Sequence, residues 1–128
     1  MFSLFKSNEG TVPVIKELPV AAATYKIGDA LSIANGLLTK ATGSTKPTHI
    51  SAGIGTKASN DLLAVNPIFE GYEFETTFAE SGTSLKVGAK VTIHTDAAQV
   101  TAATSDGIAE IVTIEGGGAS GSKVVVKF

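Results

Sequence analysis

The sequence contains no cysteine and no tryptophan. The absence of cysteine excludes disulfide scaffolds, thiol catalysis and cysteine-based zinc sites. A chain of 128 residues is most simply one domain, and it can bury roughly two-thirds of its unfolded surface. Folding therefore requires neither a disulfide nor a metal, and the sequence predicts no cofactor.

The sequence also lacks an excess of basic charge and a long apolar run. Its ten basic residues are scattered, and the net charge is -2, so the positive field that nucleic-acid binding needs is missing. No run approaches the ~20 apolar residues of a membrane span. The apolar start, residues 1–6, is too short for a signal peptide. We therefore expect a protein made in the cytoplasm without export, with neither nucleic acid nor membrane as partner.

Glycines and histidines offer no recognisable site. Residues 116–123 resemble a phosphate loop, but Lys123 stands one place late after Gly121 and leads into a predicted strand, whereas a phosphate loop enters a helix. His49 and His94 have no second ligand at metal-binding spacing. We predict no metal site and no phosphate site.

One pair of carboxylates is close enough in sequence to consider for catalysis. Glu73 and Glu75 share a face of a predicted strand, about 7 Å apart by strand rise. That separation suits glycosidase carboxylates, but a solvated acidic face is the commoner explanation. No nucleophile elbow is present, and we predict that the chain is not an enzyme.

The sequence does contain a repeated pattern. Residues 25–33 (YKIGDALSI) and 85–93 (LKVGAKVTI) share the lysine, the glycine and the final isoleucine. Each copy runs into turn residues and then into a second strand of small residues. We predict two related hairpin units, at 25–42 and 85–104.

Short strands separated by turns fill the rest of the chain. Asn35-Gly36 is a strong two-residue hairpin signal, and the alternation from Glu70 to Phe78 predicts a half-buried strand. Two prolines within residues 11–20 favour an edge strand or an extended crossing segment. This spacing predicts an all-β class, a small sandwich or barrel of short antiparallel strands spanning residues 11–128. The predicted core comprises Ile27, Leu31, Ile33, Val87, Val91, Ile93, Ile111, Val124 and Val126.

The first ten residues form a separate segment in this interpretation. Phe2, Leu4 and Phe5 are apolar, and residues 7–10 are a polar break. These residues are not expected to fold back as a continuous strand, so residues 1–10 are either a frayed terminus or an extended arm that packs on a partner. The candidate partner-binding residues are Phe2, Leu4, Phe5, Val12 and Val14.

The layout of the chain resembles the small head decoration (auxiliary capsid) proteins of tailed bacteriophages. The residues that carry this likeness are 18–31, 46–50, 84–93 and 121–128. The resemblance implies clip-like binding to the outer surface of an expanded capsid, with the major capsid protein as partner. It also implies a homo-oligomer, often a trimer, and a location on the virion.

A second function class stays open beside this resemblance. A β-sandwich of this size also suits a non-catalytic binding module, such as a carbohydrate-binding or tail-associated adhesion domain. Sugar-binding faces generally use exposed aromatic side chains, and the chain has only two tyrosines, Tyr25 and Tyr72, and no tryptophan. The decoration protein is therefore the favoured expectation.

Overall fold

The structure is a computed structural model that describes residues 1–7 and 14–128. Regular structure in these residues is almost entirely β-strand, which confirms the predicted all-β class. One short 3-10 helix spans Gly116–Gly118. The strands are β1 (Ser3–Lys6), β2 (Lys16–Pro19), β3 (Ala23–Tyr25), β4 (Ala30–Ala34), β5 (Leu37–Lys40), β6 (His49–Ser51), β7 (Gly55–Lys57), β8 (Leu62–Pro67), β9 (Glu73–Thr77), β10 (Lys90–Val91), β11 (Ala109–Ile114) and β12 (Lys123–Lys127).

The strands form two five-stranded antiparallel sheets and one small two-stranded sheet, packed as a small β-sandwich. The N-terminal sheet has the order β2-β8-β6-β4-β5, and the C-terminal sheet has the order β1-β9-β12-β11-β10. Strands β3 and β7 pair separately. Apart from β1, each large sheet is built from one half of the chain.

The two predicted hairpin units make the same hydrogen bonds at corresponding positions. Gly28 and Gly88 both adopt positive φ, +85° and +91°, which glycine tolerates at little cost. The Gly28 N–H donates to the Ser51 carbonyl, and the Gly88 N–H donates to the Ile111 carbonyl, both at 2.8 Å. The turn before β4 therefore bonds to the neighbouring strand β6, and the turn before β10 bonds in the same way to its neighbour β11.

The correspondence extends beyond the hairpins. Val20 forms an isolated parallel bridge with Leu38, and Phe78 forms the same kind of bridge with Val100. Both of these contacts connect the strand that opens a half, β2 or β9, to the returning strand of the hairpin. Strand β2 is therefore the structural counterpart of β9, and the repeat covers most of each half.

The apolar core is divided into two clusters. Six of the nine predicted core residues are buried: Leu31, Val91, Ile93, Ile111, Val124 and Val126. The larger cluster joins the C-terminal sheet to the inner face of the N-terminal sheet through Ala30 and Ile50. The smaller cluster lies on the other face of the N-terminal sheet and includes Tyr25 and Leu63.

Three of the predicted core residues, Ile27, Ile33 and Val87, are instead exposed. Ile27 and Val87 precede the two turn glycines and lie outside the strands. Ile33 lies on β4 beyond the part that pairs with β6, since only Ala30 and Leu31 have partners there, Ile50 and His49. Its counterpart Ile93 is 2% exposed.

Within the N-terminal segment, Ser3–Lys6 form a strand of the C-terminal sheet, and residues 8–10 lie outside the described residues. Ser3 pairs with Glu75 and Leu4 with Phe74, so β1 lies antiparallel along β9. The Phe2 N–H donates to the Gly28 carbonyl at 2.9 Å. The expectation that these residues cannot fold back as a continuous strand is wrong, because a strand distant in sequence supplies the edge on which they pair.

Candidate functional site at the open edge of strand β2

The structure separates the predicted partner-binding residues into two groups. Phe2 is 2% exposed, and its ring packs edge-on against Phe128 with centroids 5.5 Å apart. It is therefore an internal anchor and is not available to a partner in this structure. Leu4, Phe5 and Val14 are exposed, whereas Val12 lies outside the described residues.

Strand β9 is paired along both of its edges. On one side β9 pairs with β12 along its whole length, from Glu73 opposite Lys127 to Thr77 opposite Lys123. On the other side β1 adds antiparallel, and Ser3 lies opposite Glu75. Because β1 uses the outward backbone groups of β9, this edge has no room for a further strand.

Within residues 1–7 and 14–128, the counterpart edge on β2 carries no such strand. Strand β2 pairs with β8, from Lys16 opposite Val65 to Pro19 opposite Leu62. It is the terminal strand of its sheet, and no other strand of the described residues runs along its outer side at Lys16–Leu18. Of the two prolines that predicted an edge strand, Pro19 lies in β2 at this edge, and Pro13 lies outside the described residues.

Backbone geometry decides which groups this edge offers. The Val20 N–H donates inward, to the Asp61 carbonyl at 3.0 Å. Because amide direction alternates along a strand, the N–H groups of Glu17 and Ile15 point outward. Pro19 has no N–H to offer. The open edge therefore presents two outward donors near the start of β2.

Exposed apolar side chains lie beside these donors. Val14 and Ile15 immediately precede β2, and Ile15 is 66% exposed. Leu62, opposite Pro19 on β8, is 52% exposed. Ile15 and Leu62 fall on the same face of the sheet by period two. The sequence predicted Val14 as a contact residue but not Ile15 or Leu62, because apolar residues are usually buried and nothing in the sequence indicates that these two are exposed.

The charges on the same edge limit what can pair with it. Lys16 and Glu17 are adjacent, exposed and opposite in sign. Charged side chains on an edge strand oppose indiscriminate edge-to-edge pairing. The edge therefore favours an incoming strand with complementary charges and an apolar residue opposite Ile15.

The most buried carboxylate has a structural role. Asp29 is almost fully buried, and one of its oxygens lies 3.1 Å from the Lys40 Nζ. The same carboxylate accepts a hydrogen bond from the Lys26 N–H at 2.9 Å. These contacts close the turn before β4 and pair the buried charge, so Asp29 stabilises the first hairpin unit.

His94 and Asp96 form a local turn rather than a site. The Asp96 carboxylate accepts hydrogen bonds from the N–H groups of Ala98 and Gln99 and lies 3.3 Å from His94 Nδ1. Burial acts to raise the pKa of Asp96, but these hydrogen bonds and His94 outweigh burial and hold that pKa below its ordinary value. Asp96 therefore closes its own turn through backbone hydrogen bonds.

The structure also shows the form of the glycine-rich segment that resembles a phosphate loop. The glycines at 116–118 form a 3-10 turn that leads into strand β12, so they do not enter a helix as a phosphate loop would. Among residues 1–7 and 14–128, no three histidine or acidic side chains come together as metal ligands. No helix in this part of the chain is long and apolar enough to span a bilayer.

Comparison with known proteins gives no relative from which a role can be transferred. No protein-family model matches the chain, and no curated protein matches it. The function of the chain is therefore inferred from its own residues and geometry.

Proposed function

We propose that this chain is a structural protein that binds the outer surface of a phage capsid and stabilises the shell. The observation that carries the proposal is the contrast between two equivalent strand edges. The edge of β9 is filled by β1, and the edge of β2 ends its sheet with Val14 and Ile15 exposed beside it. An exposed edge with flanking apolar side chains is suited to strand addition by a partner.

The proposal assigns the major capsid protein as partner and needs no catalysis. A segment of that protein adds antiparallel to β2, bonds to the outward N–H groups of Ile15 and Glu17, and covers Ile15 and Leu62. Main-chain hydrogen bonds supply affinity in this mode, and side-chain pairs supply selectivity. The resemblance to decoration proteins supports a homo-oligomer, with a trimer favoured, on the outer face of the virion after synthesis in the host cytoplasm.

Co-sedimentation with shells assembled from the major capsid protein of the same phage or prophage tests the proposal. The protein is mixed with expanded and with unexpanded shells, and its mass in solution is measured separately. We expect binding to expanded shells and a mass of several chains. A failure to sediment with either form of shell contradicts the proposed function.

A pair of variants at one position tests whether the β2 edge makes the contact. Glu17→Pro removes one outward N–H, and proline is tolerated on the solvent side of an edge strand. Glu17→Ala removes the same side chain but keeps that N–H. We expect Glu17→Pro to lose binding and Glu17→Ala to retain most of it. Equal binding by both variants, with both folded, places the contact elsewhere.

A further inference from the structure

A cavity of about 220 Å³ lies where the N-terminal strand meets both sheets. Phe2 and Phe74 border it from the C-terminal sheet, and Ile50 and Asn66 border it from the N-terminal sheet. None of the side chains that line this cavity is charged. Its walls are mainly apolar, so it favours a neutral occupant.

The size of the cavity limits what it can hold. A dry apolar cavity of ~150 Å³ is large enough for benzene. The larger volume here accommodates an aromatic ring with a short substituent, roughly seven to ten non-hydrogen atoms by that comparison. The mouth is formed in part by Met1, Leu4 and Ile27, all of which are exposed, so an apolar ligand would also cover these side chains.

One polar atom at this cavity lacks a partner. The Asn66 Oδ1 is buried and accepts no hydrogen bond, and it is the only such side-chain atom in the described part of the chain. Asn66 lies opposite Ile50 in the β6–β8 pair, on the face that borders the cavity. Contact between Oδ1 and an occupant would require a rotation of the amide, and the terminal torsion of asparagine is broad enough for such a rotation.

We infer that this cavity binds a small neutral molecule with an apolar body and one hydrogen-bond donor. Aromatic alcohols, phenols and primary amides are the chemical class. The apolar body packs against the apolar lining of the cavity, and the donor bonds to Asn66 Oδ1. Buried polar groups are nearly always partnered in folded proteins, and such a ligand supplies the missing donor. This site is separate from the β2 edge and does not depend on the proposed function.

NMR titration with benzyl alcohol and toluene tests the inference. Both probes carry the ring, but only benzyl alcohol carries a donor. We expect both to shift amide signals around the cavity and to give nuclear Overhauser effects to the rings of Phe2 and Phe74. If neither probe shows these effects up to its solubility limit, the cavity does not bind this class of molecule.

The role of Asn66 is tested by the ratio of the two affinities. We expect Asn66→Leu to reduce the affinity for benzyl alcohol relative to toluene by about fivefold, as a neutral hydrogen bond predicts. Asn66→Ala gives the same comparison if Asn66→Leu fails to fold. An unchanged ratio contradicts the proposed hydrogen bond.

A second pair of variants locates the binding. Ala52 lines the cavity, so Ala52→Phe fills part of it and is expected to abolish binding of both probes. Ala58 is exposed and does not line it, so Ala58→Phe is the matched control and should bind both probes normally. Binding that survives Ala52→Phe shows that the probes bind elsewhere and overturns the inference.

Discussion

Phe2 is the residue at which the structure and the sequence expectation differ most sharply. An arm that leaves the domain contributes little to stability, whereas the structure buries Phe2 to 2% exposure against Phe128. Truncating a buried phenylalanine to alanine costs about 3–5 kcal/mol, and an edge-to-face ring pair adds about 0.5–1.5 kcal/mol beyond the buried area. We therefore expect Phe2→Ala to lower the free energy of unfolding by at least 3 kcal/mol, about the minimum of that range.

Phe5 provides a matched control on the same strand. It is 59% exposed, so Phe5→Ala should change the free energy of unfolding by less than about 1 kcal/mol. Urea unfolding of both variants measures the difference, and Tm should fall by roughly 10 °C or more for Phe2→Ala at this chain length. If the two variants are equally stable, β1 is not an integral strand and the arm interpretation is restored.

Three further predictions concern other parts of the fold. Ile93→Ala should lower the free energy of unfolding by about 2–5 kcal/mol, whereas Ile33→Ala, at the equivalent but exposed position, should lower it by less than about 1 kcal/mol. Equal losses of stability in denaturant unfolding would contradict the assigned burial. Gly107→Ala should strongly destabilise the fold, because the added Cβ would collide with the Lys90 carbonyl. A melting temperature equal to that of the unmodified protein would refute this contact. Burial, and to a smaller extent the positive charge of Lys16, lower the pKa of His49 below its ordinary value of 6.5. As pH falls through 6.5, the unfolded state therefore binds a proton more readily than the folded state, and the free energy of unfolding should decrease. His49→Gln should weaken that dependence, and an unchanged pH profile contradicts it.

Local signals in the sequence predicted local structure well. Asn35 and Gly36 both have positive φ and connect β4 to β5, as their hairpin signal predicts. The alternation around Phe74 matches the alternating burial of β9. These features depend on neighbouring residues alone, so a single sequence contains the information needed to predict them.

Features that depend on distant segments could not be predicted in the same way. Ile33 and Ile93 occupy equivalent positions in the two copies of the repeat, yet only Ile93 is buried. Both residues pair with the returning strand of their hairpin, Ile33 with Leu38 and Ile93 with Val100. Ile93 also bridges to Gly43, in the other half of the chain, and packs in the larger core cluster. Strand β7, at Gly55–Lys57, has a polar, glycine-bearing sequence of low strand propensity, and it is stabilised by pairing with the distant strand β3.

The candidate site was predictable only in part. The two prolines of residues 11–20 indicated an edge strand, and Val14 was identified as a candidate contact. The sequence could not show that β1 occupies the equivalent edge of β9, because that requires the register between Ser3 and Glu75. The asymmetry between the two edges, which carries the functional proposal, is therefore visible only in three dimensions.

An electron cryo-microscopy map of expanded shells incubated with the full chain tests the central claim most directly. We expect ordered additional density at regular positions on the outer surface, with β2 facing the shell and a capsid segment paired along Ile15 and Glu17. Shells that acquire no additional density at saturating protein contradict the capsid-binding function. Bound protein with the β2 edge facing solvent contradicts the assigned interface.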